Sequence, residues 1–124
     1  MRDWNDLSGI EKRIAIAKRL GWTGLLHECR TVNGEIKSER LLRPATGTVE
    51  TGGGGFRYED VPCWHLDGAL AFTSLWDIIQ HAKPGACICG AYEIMFPDSS
   101  RITGSSWADV ISKALYLVVE LQNS

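Results

Sequence analysis

Histidine and cysteine recur in this 124-residue chain at a spacing of two, as His27/Cys29, Cys63/His65 and Cys87/Cys89. On a β-strand, residues two apart point to the same face, so two such pairs could close a tetrahedral metal site. Structural zinc knuckles leave roughly two to four residues between paired ligands, because the chain has to wrap the ion. One intervening residue makes no knuckle, and Cys87/Cys89 fall where a core strand takes small apolar groups. The reading favours free, mostly buried thiols, with no metal and no cofactor.

Other chemistry is fainter. The run Gly52-Gly53-Gly54-Gly55 leads into Phe56-Arg57-Tyr58, without the lysine and the helix entry of a phosphate loop. No serine sits in Gly-x-Ser-x-Gly, and Glu28 cannot orient His27, since neighbours on a strand point to opposite faces. Glu59-Asp60 reads as ordinary loop charge. These features predict a protein that is not an enzyme. The group most suited to recognition flanks the glycine run: Arg43, Arg57, Tyr58, Trp64 and His65. Arginine beside aromatic rings suits a phosphate-bearing ligand or a protein partner. The plainer alternative is that Trp64 fills the core and the arginines are solvated.

Composition narrows the partners. Residues 1–57 carry ten Lys/Arg against seven Asp/Glu and residues 58–124 carry three against eight, for a net charge of −2. That balance argues against general or sequence-specific DNA binding and against a DNA mimic, while allowing a local anion site. The N-terminal residues show no secretory pattern and no segment is a membrane span, so a reducing cytoplasm is expected. Five tryptophans are too many to hide completely, so at least one is expected on a contact surface.

The elements that must position these residues follow from capping and periodicity. Ser8 and Glu11 form a capping box for a first helix ended by Gly21. Ile10, Ile14 and Ala17 face inward on it, and Glu11, Lys12, Lys18 and Arg19 face water. Asn33-Gly34 predicts a type I′ hairpin between strands over about residues 22–32 and 35–42. It would pair Val32 with Glu35, Leu26 with Leu41 and Leu25 with Leu42, leucines on the core and charges toward the tip. Residues 44–57 read as a mobile loop. Gly68 interrupts the helical pattern ahead of Ser74, Ser74 caps a second helix that stops at Pro84-Gly85, and residues 86–96 alternate as one strand covered on both sides. Ser106 caps a third helix with a wide apolar stripe, Asp109 and Ser112 lying opposite. Tyr116 and Val119 lie off that stripe, which suggests a weak homodimer. The fold expected is a single α/β (α+β) domain over residues 1–124. It is a small α/β/α sandwich, with three helices around a short sheet that includes the hairpin.

Leu20-Gly21-Trp22-Thr23, Pro62, Phe72-Thr73-Ser74-Leu75 with Asp77, and Trp107-Ala108-Asp109 through Ala114-Leu115 together resemble the phage ABA sandwich domain family over about residues 10–121. The chain departs from that pattern at Trp76, in its long hairpin and in its glycine run. The resemblance brings no catalytic residues. It implies a phage-borne accessory protein working in the bacterial host cytoplasm. The function expected first is a non-enzymatic inhibitor of a bacterial defence system, anti-CRISPR-like, that occludes a host protein. A sponge for a cyclic-nucleotide immune signal and a zinc-stabilised structural phage module are the alternatives.

Overall fold

A computed structural model describes residues 2–45 and 57–119. The four-glycine run lies outside them, so the expected mobility of residues 44–57 concerns mostly undescribed chain; the ends of that segment are tied by an Ala45 N–H···O=C Arg57 bond of 2.8 Å. Among the described residues no helix is long and apolar enough to cross a membrane.

Among the described residues the class is the mixed α and β arrangement expected, with three helices and the Asn-Gly hairpin. Its strands divide between two antiparallel three-stranded sheets. The first holds β1 (Leu26–Val32), β2 (Glu35–Pro44) and β3 (Tyr58–Asp60); the second holds β4 (Cys87–Ile88), β5 (Glu93–Met95) and β6 (Arg101–Thr103). The helices are α1 (Gly9–Arg19), α2 (Gly68–Ala82) and α3 (Trp107–Val118), preceded by a short 3-10 turn over Trp4–Asp6.

Helix α3 is the hub. Both other helices and strands β5 and β6 pack on it, so its sides are buried nearly all round. This is why Ser112, expected to face water, is completely buried. Tyr116 is buried too, at 4% exposure, with its hydroxyl donating to the Arg2 carbonyl. It is therefore not an exposed dimer contact. Arg19 was expected on the solvated side of α1 but lies beneath the surface. Its Nε donates to the Tyr116 carbonyl at 2.9 Å, and its guanidinium lies 4.1 Å from the Tyr116 ring centre. A cation satisfied in this way is tolerated inside.

Three local departures have clear causes. Helix α2 starts at Gly68 rather than Ser74, because Asp67 accepts from the Leu70 amide at 3.1 Å and supplies the cap. At that first helical position glycine costs little, and a Cβ on it would stand 3.7 Å from Trp107. The expected strand over 86–96 is two strands folded back on each other, since Gly90 and Tyr92 take positive φ. Glycine inside an apparent strand marks such a bend. The bend exposes Cys87, and Cys29 is exposed as well, while Cys63 and Cys89 are half-buried. The thiols are free but not mostly buried.

The hairpin turns at Asn33-Gly34 with φ of 54° and 82°, as a type I′ turn requires. Val32 pairs with Glu35, but a bulge at Lys37 then moves the register by one residue. Leu26 consequently faces Leu42, and Cys29 faces Glu39 rather than Ser38. Leu41 and Leu42 are buried at the base, whereas every residue from Leu26 to Arg40 is exposed.

Candidate functional site

The five residues singled out around the glycine run do not form one site. Trp64 is 2% exposed and belongs to the core, with its ring 5.2 Å from that of Trp22. Arg43 lies over the Trp22 ring, its guanidinium 3.8 Å from the ring centre, and its Nε is 3.2 Å from Glu59. The three are in successive contact, Trp64 to the tilted Trp22 ring and Trp22 to Arg43, closed by a carboxylate. Arg43 is thus already engaged by an aromatic face and by Glu59, which works against its serving as a phosphate fork. Tyr58 is exposed but pairs with Pro44, one residue along from the Arg43–Glu59 pair, so it projects from the opposite sheet face. Arg57 is exposed beside it. Tyr58 and Arg57 are the members free to meet a partner.

His65 lies elsewhere, at the start of α1, with Nε2 3.5 Å from where a Cβ on Gly9 would stand. Burial first, then the Lys12 and Arg13 charges, hold its imidazole below the ordinary 6.5, with Asp109 opposing. The positive end of α1 acts in the same sense. The unfolded chain therefore takes up this proton first, and stability is lost as pH falls from about 6.5 through the depressed folded value. Measured by urea unfolding at about pH 7.5 and about pH 5, the parent is expected to lose more stability than His65→Gln. Equal losses would remove His65 as the cause.

The hairpin is the more conspicuous feature. From His27 to Arg40 it is a two-stranded ribbon with both faces in water, and β1 is an edge strand. It carries Val32 at 42% and Ile36 at 57% exposure, and Leu26 is exposed at its base. Around them lie Glu28, Arg30, Glu35, Lys37, Glu39 and Arg40, and Arg40 pairs with Asp60 of β3. One face also carries His27, Cys29 and Glu39. His27 Nε2 lies 2.8 Å from Glu39 Oε2 and 3.7 Å from Cys29 Sγ. Desolvation by its neighbours, then the Glu39 charge and hydrogen bond, raise the Cys29 thiol above 9.0. At neutral pH it is a thiol, not an activated nucleophile.

Sequence reasoning missed Trp22, Glu39, Glu59 and Ile36 as members of these groups. Glu59 could have been found from the hairpin, because a third strand paired with β2 sets it across from Arg43. Glu39 could not, since its place opposite Cys29 depends on the bulge. Comparison with known proteins finds no matching family model, no matching curated protein and no matching solved structure.

Proposed function

We propose that this chain acts by binding, docking its exposed ribbon on a protein partner, and that it is a phage-borne inhibitor of a bacterial defence protein of the CRISPR-effector kind. The observation that carries the binding reading is the ribbon itself. A lone two-stranded hairpin is marginal in water, and an open edge strand with exposed apolar side chains is a liability that folded proteins normally cover or blunt. A partner strand laid along β1 would satisfy its free backbone groups. Val32 and Ile36 would add apolar anchors on the two faces, and the mixed charges would fix orientation. The phage setting rests on the family resemblance of the residues around Trp22, Phe72 and Trp107.

The test is protection of a CRISPR-targeted phage plated on bacteria that express the protein. The parent is expected to restore plaques. Val32→Asp/Ile36→Asp is expected to lose this, since two anchors worth about 2 kcal/mol each weaken binding by about thirtyfold apiece. The exchange sits on an exposed arm, so folding stability should stay within about 1 kcal/mol. A parent that gives no protection defeats the functional reading. A variant that protects as well as the parent defeats the ribbon as the docking element.

A further inference from the structure

The ribbon brings three different metal-ligating side chains to one point. Cys29 on β1 lies directly across from Glu39 on β2, and His27 precedes Cys29 by two residues on the same face. Their ligand atoms all lie within 4.8 Å of one another. We propose that His27 Nε2, Cys29 Sγ and a Glu39 carboxylate oxygen bind a divalent transition-metal ion of the Zn2+ class, with a fourth position open to solvent.

The separations are close enough for small side-chain shifts to seat an ion at that point. Zinc bonds of about 2.0–2.1 Å to nitrogen and about 2.3 Å to sulfur put N and S about 3.5 Å apart in a tetrahedron. The His27–Cys29 separation is 3.7 Å. The His27–Glu39 contact is a 2.8 Å hydrogen bond and has to open to about 3.3 Å. A rotation of the half-exposed Glu39 side chain supplies that much. The β1/β2 pairing sets Cys29 across from Glu39 and His27 two residues along on the same face, so a formed ladder already gathers the three ligands.

The same geometry argues against the nearest rival, a cysteine nucleophile. A thiol–imidazole–carboxylate relay uses the two ring nitrogens separately, one toward the thiol and one toward the acid. Here Nε2 meets both, so the three groups converge rather than form a chain. Convergence is what an ion requires. A mixed N, S and O donor set suits zinc-like ions and not calcium or magnesium, which take oxygen. The paired spacing of His27 and Cys29 offered only two ligands, and the bulge at Lys37 delivers the third. The site uses neither Val32 nor Ile36, so it stands or falls separately from the docking reading.

The experiment takes the full chain, reduced and freed of metal with a chelator, and titrates it with Co2+ and then Zn2+. The expected result is a single Co2+ per chain with a thiolate-to-cobalt charge-transfer band that Zn2+ bleaches. Cys29→Ser should abolish the band. His27→Gln and Glu39→Gln should each weaken binding by more than the roughly 10–100-fold that loss of a supporting hydrogen bond costs. Cys63→Ser and Cys87→Ser should leave it intact. All these ligands are exposed or nearly so, and the variants should melt like the parent in chelator. Absence of the band in the parent overturns the proposal, as does its survival in Cys29→Ser. Unchanged affinity in either glutamine variant overturns the three-ligand set.

Discussion

Alanine in place of Trp64 is expected to remove about 3–5 kcal/mol of folding stability, read as a fall in the urea midpoint without a change in slope. The indole is almost wholly enclosed, in a core shared with Val61, Leu75 and Leu115. It also supports the tilted ring of Trp22, which in turn carries Arg43. The loss should therefore reach the surface, leaving Trp22 loose and Arg43 without its platform. A cost below about 1 kcal/mol would mean the cavity collapses freely and Trp22 does not depend on Trp64 for support. A binding defect in this variant would report unfolding, so Trp64 cannot serve as a probe of the interface.

The second large effect is expected at Asp109. Its Oδ1 accepts from the Trp4 indole at 3.0 Å and its Oδ2 from the Ser105 amide at 3.0 Å. The indole it satisfies is 1% exposed. Asp109→Ala leaves that buried donor without its acceptor and is expected to cost about 2–3 kcal/mol. Asp109→Asn should cost less, because one oxygen can still serve Trp4 while the new amide opposes the Ser105 N–H. If the two variants lose the same amount, the Trp4 bond is not what Asp109 contributes. Burial alone would raise this carboxyl. The hydrogen bonds from Trp4 and Ser105, then the Lys12 and Lys113 charges, outweigh that and hold it below its ordinary 3.8. Its contribution is therefore present above 3.8 and lost as pH falls through the lower folded value.

Much of this architecture is legible before any coordinates. The Ser8/Glu11 capping box forms as its spacing requires. The Asn33-Gly34 turn and the Ser106 cap do the same. These signals are local, each a few residues satisfying their own backbone. What fails to show in the sequence is decided at long range. The burial of Arg19, Ser112 and Tyr116 follows from α3 being surrounded, which no helical wheel can report. The bulge at Lys37 is likewise silent, and with it the meeting of Cys29 and Glu39. The grouping of Arg43, Tyr58, Trp64 and His65 by sequence proximity fails because strand alternation sends Arg43 and Tyr58 to opposite faces. Helix packing meanwhile carries Trp64 into the core and His65 to α1.

Among the described residues of the hairpin strands, Leu41 and Leu42 are the buried ones, while everything from Leu26 to Arg40 stands in water. Substitutions on such an arm fall in the class that changes stability by less than about 0.5 kcal/mol. Lineages carrying this protein can therefore vary the arm's side chains without approaching the threshold at which the fold fails. If the arm docks a partner as proposed, recognition and foldedness are separable traits of this chain. On the proposed docking, a change in the partner could be answered by substitutions along the exposed arm, His27 to Arg40, outside the Asn33-Gly34 turn, whose positive φ restricts it, and outside the proposed ligands His27, Cys29 and Glu39.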